Sequence, residues 1–315
     1  MILGKSAFGI NGITGLGVSA PLLDSYNPAV LPRAISALDQ DMSLEAGYSF
    51  MDFSGGPQII NNWQTAVFRL RNNEALRIAR YGIDSDYRST RLYGDNVQLK
   101  FSGEAYEFSY AAKMNPKWDF GFSYIISERI ETSVSQNGSL GRILLARGVA
   151  DSDLHLRMGL AHEAAKNLNL GYVYTEDEIE VDLVLLPAYT GCEKPVSVNY
   201  DYTQWLQTLG VSWQPWQTTT ISGAWQKGSC RKNIIQSPGP FQDFNIDLYE
   251  VSARQDLGAD WSLELGACDN SWQYGVDFHK GDWRAGFGLA QNKFQRTSDY
   301  FGTADTLSLY FGKSW

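Results

Sequence analysis

The sequence predicts an all-β chain: a 14-stranded antiparallel transmembrane β-barrel over residues 41–315, preceded by an N-terminal hatch (plug) segment over residues 1–40. Three observations carry this prediction. Apolar and polar residues alternate with period two in segment after segment, a spacing that separates the two faces of a strand and would mix them in a helix. Short polar turns alternate with longer connections, the asymmetry of barrels whose turns lie on one side of a membrane and whose loops lie on the other. Tryptophans recur beside the short turns, as in an interfacial aromatic girdle.

Composition agrees. The 315 residues carry 26 Lys+Arg against 35 Asp+Glu, a net charge of −9, with 43% hydrophobic and 19% charged residues. The chain is too apolar and aromatic for disorder. Its acidic balance argues against a general nucleic-acid binder, which needs clustered cations. No apolar run reaches the roughly 18 residues of a transmembrane helix, and the opening MILGKSAFGINGITGLG has no apolar stretch of signal-peptide length. Three Cys and three His leave little for a metal cluster, and no cofactor is implied.

The elements follow in order. In 42–50, Met42, Leu44, Ala46, Tyr48 and Phe50 oppose Ser43, Glu45, Gly47 and Ser49. In 118–127, Trp118, Phe120, Phe122, Tyr124 and Ile126 oppose Asp119, Gly121, Ser123, Ile125 and Ser127. The same reading gives strands at 42–53, 62–71, 75–87, 96–114, 117–128, 153–164, 167–178, 202–214, 217–227, 245–257, 260–269, 271–279, 282–292 and 304–315. Tight turns such as Asn115-Pro116-Lys117, Gln214-Pro215-Trp216 and Lys280-Gly281-Asp282 join some of them, and long loops are expected at about 128–152, 183–201 and 228–244. A soluble β-sandwich also alternates; the polarised turns and the Trp level of Trp118, Trp213, Trp261 and Trp283 favour the barrel. An even strand count returns both ends to the short-turn side. The last strand alternates Leu307, Leu309, Phe311 and Trp315, which resembles the signal read by the outer-membrane barrel assembly machinery; Lys313 stands where an apolar residue is usual.

Residues 1–40 stand outside the alternation. Their glycines follow no strand, so a nucleotide loop is not indicated. The segment either hangs below the barrel or plugs a lumen that 14 strands leave wide.

Candidate chemistry lies on the inner faces. Glu45, Arg69, Arg77, Glu107, Lys113, Asp119, Arg157, Glu264, Asp277 and Arg284 are expected to point inward. They read as an ion-pair network anchoring the plug, or, for Arg77, Arg157 and Arg284, as partners of a ligand carboxylate through bidentate guanidinium geometry. The run Glu176, Asp177, Glu178, Glu180, Asp182 reads as a solvated rim, or as a Ca²⁺ holder bridging to lipopolysaccharide. Cys192 and Cys230 fall in loops expected to be neighbours, where an oxidising compartment allows a disulfide. His155, His162 and His279 sit in no nucleophile-and-acid constellation, which argues against an enzyme.

Gly15-Leu16-Gly17 followed by Asn27-Pro28-Ala29 ahead of the first strand, in a fourteen-strand barrel, resembles the FadL-type family of outer-membrane transporters of long-chain fatty acids and hydrocarbons. The hairpins Tyr110-to-Phe122 and Asn167-to-Val181 look similar as well. The resemblance implies a Gram-negative outer-membrane protein that takes up hydrophobic small molecules among outer-membrane lipids and lipopolysaccharide. Ligand would be captured by loops, bind in the lumen near the hatch motif (Gly15, Gly17, Asn27, Pro28, Ala29) and leave sideways at a kinked third strand. In that strand Leu76 and Ile78 set one phase and Tyr81 and Ile83 the other. The slip at Ala79, Arg80, Tyr81 and Gly82 therefore reads as a bulge, with or without a gate. The alternative is a non-transporting barrel acting as a structural or secretion-accessory subunit; a hydrophilic porin fits less well, because the N-terminal segment obstructs the pore.

Overall fold

A computed structural model describes residues 27–37, 39–54, 58–71, 73–85, 88–92, 95–139, 141–232, 244–268, 271–293 and 303–315. A 3-10 turn (Pro28–Val30) leads into helix α1 (Leu31–Ala37), and the strands follow: β1 (Met42–Phe53), β2 (Gln58–Arg71), β3 (Glu74–Ser85), β4 (Arg88–Leu92), β5 (Asp95–Asn115), β6 (Trp118–Gly138), β7 (Gly141–Ala165) and β8 (Leu168–Leu185). After the short helix α2 (Pro187–Thr190) come β9 (Val196–Trp216), β10 (Thr219–Lys232), β11 (Phe244–Leu257), β12 (Trp261–Cys268), β13 (Ser271–Lys280), β14 (Trp283–Lys293) and β15 (Ala304–Ser314).

Neighbouring strands pair antiparallel from β5 round to β15, β15 pairs with β1 from Ser43↔Ser314 to Phe53↔Ala304, and β3 pairs with β5, so fourteen strands close on themselves. The short β4 lies beyond β3 along β5, with Leu99 opposite Arg88 where Ser102 is opposite Asp84. Closure pairs the backbone groups that hydrocarbon leaves unsolvated. Both ends of the barrel chain meet: the Asp41 and Met42 amides donate to the Trp315 carbonyl at 2.8 and 3.0 Å, and the Trp315 amide donates to Met42 O at 2.9 Å.

The outer face is apolar because its solvent is lipid. Leu44, Tyr48, Phe50, Tyr124, Ile126, Phe287, Leu309 and Phe311 are exposed there, while their strand neighbours Ser43, Glu45, Ser49, Ser123, Ser308 and Thr306 are buried inward. Trp118, Trp213, Trp216, Trp261, Trp283 and Trp315 are exposed at the short-turn end. Three of them pack on outward rings: Trp118 stacks on His162 at 4.1 Å, while Trp261 and Trp283 lie tilted against Phe278 at 4.7 Å and Phe311 at 5.1 Å. The Lys313 ammonium sits over the Trp283 and Trp315 rings at 4.7 and 5.3 Å, which accounts for a cation at that position.

The expected loop at 128–152 is nearly all strand, and that at 183–201 shrinks to the connection 186–195 between β8 and β9. β6 and β9 run 21 residues, β7 25 and β8 18, against 8 in β12 and 10 in β13. In β8 the exposed residues pass from Leu170 to Glu178, Glu180 and Asp182, while the less exposed set becomes Ile179, Val181 and Leu183. The alternation continues but its polarity inverts. Above the bilayer the outer face meets water and the inner face must bury apolar surface. Glu176, Glu178, Glu180 and Asp182 of the acidic run thus lie on the outer face of a strand, while Asp177 points inward and is buried.

Candidate functional site

The floor of the lumen is built from residues 27–37. Asn27 caps the 3-10 turn: its Oδ1 accepts from the Ala29 amide at 3.0 Å, while its Nδ2 donates to Leu160 O on β7 at 2.8 Å. Two glycines make room for this. Gly121 and Gly159 face each other across β6 and β7, and a Cβ on Gly121 would come within 2.6 Å of the Ala29 amide nitrogen and of the Pro28 carbonyl carbon; a Cβ on Gly159 would collide with Asn27 Oδ1. Arg33 pairs with Asp119, donates to Asn169 Oδ1 at 2.8 Å and reaches Lys117 O at 3.3 Å. Arg69 donates to Ile35 O at 3.1 Å. Leu31 and Ile35 of α1 pack with Trp63, Val67, Ala75, Ala111 and Tyr310 from the barrel wall. The expected motif Asn27, Pro28 and Ala29 is therefore seated inside the barrel; Gly15 and Gly17 lie outside the described residues.

Above and beside this floor runs a layer of buried charge. Glu107 Oε1 accepts from Arg77 Nη2 at 2.5 Å, Arg157 Nη1 at 3.3 Å and Ser109 Oγ at 3.3 Å, and Glu107 Oε2 accepts from the Tyr81 hydroxyl at 3.0 Å. Ser152 Oγ donates to Asp177 Oδ1 at 2.5 Å, and His155 Nδ1 lies 3.4 Å from the same oxygen. Beyond β2, Arg284 Nη2 donates to Ser43 Oγ at 2.8 Å and lies 3.7 Å from Glu45 Oε2, while the Tyr310 hydroxyl donates to Asp277 Oδ1 at 2.6 Å. Arg77, Arg157 and Arg284 face inward as expected, in two groups, one across β3–β7 and one across β14, β15 and β1, each held by a carboxylate.

Towards the long-loop end the inner face turns apolar. Tyr200, Tyr202 and Cys230 are buried with Ile179, Val181, Leu183 and Val198 against them, lining β8–β10. Val97, Leu99 and Leu145, with Phe101 and Val134, line β5–β7. Sequence reasoning missed these walls, having read half of them as loop; the signal was the Ile-Glu-Val-Asp-Leu alternation of 179–183 with its polarity reversed. It also missed Gly121 and Gly159, visible as glycines at inward positions of two successive strands.

Two expectations are corrected. Pairing runs unbroken on both sides of Ala79, Arg80, Tyr81 and Gly82, from Thr65↔Ala79 to Asn62↔Gly82 and from Ala79↔Glu107 to Gly82↔Glu104. There is no slip: Leu76 and Ile78 belong to the outer face and Tyr81 and Ile83 to the inner, both faces being apolar here. Arg80 points outward, where it pairs with Glu104 and donates to Asn62 Oδ1 at 3.3 Å. Nor are Cys192 and Cys230 joined by a disulfide: Cys192 is exposed just beyond α2 and Cys230 is buried in the β10 inner wall.

The molecule is thus a closed fourteen-stranded transmembrane barrel with an internal N-terminal floor and a hydrophobic upper lumen. Solved structures share this architecture. The CymD monoaromatic hydrocarbon channel is 15% identical with a TM-score of 0.59, covering 97% of this chain and 96% of its own. The Pseudomonas putida toluene transporter TodX is 13% identical with a TM-score of 0.58, covering 99% and 98%. A Pseudomonas aeruginosa FadL homologue is 12% identical with a TM-score of 0.60, covering 100% and 99%. At these identities the likeness is one of fold. No protein-family model matches the sequence, and no curated protein matches it.

Proposed function

We propose that this chain is a Gram-negative outer-membrane channel for the uptake of hydrophobic small molecules, with residues 1–40 as its hatch. The observation that carries the proposal is the apolar inner wall of β8–β10, standing directly above a lumen closed by polar layers and a packed floor. A water-filled porin has no use for inward Ile179, Val181 and Leu183 beyond the membrane; a route for an apolar solute does, because each buried CH₂ of such a solute gains about 0.8 kcal/mol on leaving water. The similar folds are those of a toluene transporter and a monoaromatic hydrocarbon channel, which supports the same reading. The closed floor makes egress sideways through the wall part of the proposal. The wall is continuous at Ala79–Gly82, so we place the exit higher, beyond Ser85, where β4 pairs with β5 alone among the described residues. The exposed Phe311 and Trp315 serve the barrel assembly machinery, and lipids and lipopolysaccharide surround the outer belt.

Uptake of a neutral, environment-sensitive dye by cells producing the chain tests this reading. The expected result is faster entry than in cells without it, reduced roughly tenfold by Val181→Asp, which puts a charge in the apolar wall. Equal entry in both strains would leave the non-transporting structural or secretion-accessory barrel.

A further inference from the structure

Resting on that reading, we infer that the channel is built for uncharged apolar molecules and discriminates against fatty-acid-like carboxylates. Three separate observations converge.

The first is the outer surface of the tall wall. Asp151, Glu180 and Asp201 occupy one register row across β7, β8 and β9, and Glu178 and Asp182 flank it on β8. Arg129 and Arg147 share this face with Glu131 and these five carboxylates, and Arg129 is already 3.5 Å from Glu131 and 3.7 Å from Asp151. With the chain at −9 overall, an anion meets a repulsive field over about 8 Å of approach at physiological salt, whereas a neutral solute does not.

The second is the apolar lining itself. Ile179, Val181, Leu183 and Val198 on one side and Val97, Leu99, Phe101 and Val134 on the other present hydrocarbon and ring surface, so a carboxylate packed against them would be stripped of water.

The third is the occupancy of the lumen cations. Arg33, Arg69, Arg77, Arg157, Arg254 and Arg284 each have a carboxylate oxygen within 4.0 Å, supplied by Asp119, Asp41, Glu107, Asp256 or Glu45. Arg77 and Arg157 share Glu107, and Asp177 lies one inward position further along β8 from Thr175, the register partner of Arg157. Asp177 stands opposite His155, 3.4 Å from its Nδ1, and Glu107 is the carboxylate that both guanidiniums hold. A ligand carboxylate reaching Arg77 or Arg157 would have to displace Glu107 from bonds of 2.5 and 3.3 Å.

The test uses the refolded full-length chain in lipid nanodiscs carrying a neutral fluorescent probe, displaced by 1-decanol or by decanoate at pH 8, with the ratio of the two effective concentrations as the readout. In the parent chain decanol is expected to displace at a concentration at least about tenfold lower than decanoate, after correction for partition into empty discs. Reversing the outer wall with Glu178→Lys and Glu180→Lys should lower the decanoate value several-fold at low salt and leave decanol unchanged. Arg157→Gln should not weaken decanoate selectively. The inference is overturned if decanoate matches or beats decanol, if the charge reversal leaves the ratio unmoved, or if Arg157→Gln removes decanoate competition alone. Failure of the probe to bind at all would instead overturn the channel reading on which the inference rests.

Discussion

At the scale of single residues, the floor depends on what two glycines lack. Asn27 can cap its own turn and reach Leu160 O only because Gly121 and Gly159 leave the inner surface of β6 and β7 bare. A methyl group at Gly121 would meet the backbone of Pro28 and Ala29, and one at Gly159 would have to push aside the Asn27 side-chain amide that makes both of these bonds. Gly159→Ala is therefore expected to leave the barrel folded and to unseat the floor. Limited proteolysis should cleave the N-terminal segment faster, and urea unfolding followed by Trp fluorescence should show a loss of about 1–3 kcal/mol, the usual range for overpacking. An unchanged protease pattern would mean that Asn27 is not what holds the segment. Arg33 is the second fastener, joining Asp119, Asn169 and Lys117 from the two short turns beneath the same strands.

At the scale of elements, the strands have two regimes. Within the bilayer they are apolar outward and polar inward; in the upper parts of β6–β9 they are the reverse. β8 shows the change within a few residues, between Tyr174, whose hydroxyl donates to Glu176 Oε2 at 3.3 Å, and the Glu178–Asp182 stretch. Cysteines placed singly at Glu178, Glu180 and Asp182, with Cys192 replaced by Ser, should react with a membrane-impermeant maleimide on intact cells. Cysteines at Leu170 and Tyr172 should stay unlabelled. Labelling at Tyr172 would show that the inversion does not mark the water boundary. The same inversion explains what was legible in the sequence. β1 is predicted at 42–53 and found there, and the girdle at Trp118, Trp261 and Trp283 lies where the turns put it, because lipid imposes one consistent face. Residues 128–152 and 183–201 were illegible for the converse reason: a pattern whose hydrophobic phase flips midway loses its period to a reader who holds the phase constant. At the third strand the difficulty was different. Leu76, Ile78, Tyr81 and Ile83 are apolar on both faces because α1 packs near Tyr81 inside while lipid lies outside, so a double-sided strand read as a slipped one. The Arg partners could not be read at all, since register fixes them across strands far apart in sequence, as with Arg77 and Glu107 or Arg284 and Glu45.

At the scale of the whole molecule, closure is a zipper between the beginning and the end of the barrel chain. β15 meets β1 along eleven residue pairs, and the Trp315 backbone adds bonds to Asp41 and Met42. Deleting residues 311–315 removes the short-turn end of that seam and exposes two sheet edges to lipid. The deleted chain is expected to lose the heat-modifiable electrophoretic band both in cells and after refolding into micelles. Phe311→Ala, which keeps every backbone pair, should refold normally in micelles and lose yield only in cells, the outcome that the proposed role in assembly requires. Parallel loss in both settings for Phe311→Ala would assign the residue to packing.

The inversion of polarity along the tall strands also gives the barrel a draught, in the nautical sense. If it settles deeper, Glu176, Glu178 and their neighbours go under, and each submerged charge resists more strongly with depth. If it rises, Trp118, Trp261 and Trp283 are drawn out of the headgroups that hold them. Ballast on one side and buoyancy on the other restore the level, and because the outward carboxylates crowd β8 while the indoles are spread over β6, β9, β12 and β14, the righting force acts unevenly around the rim. A barrel of this kind floats at a set height and with a set heel, keeping its apolar upper wall clear of the lipid whose solutes it would admit.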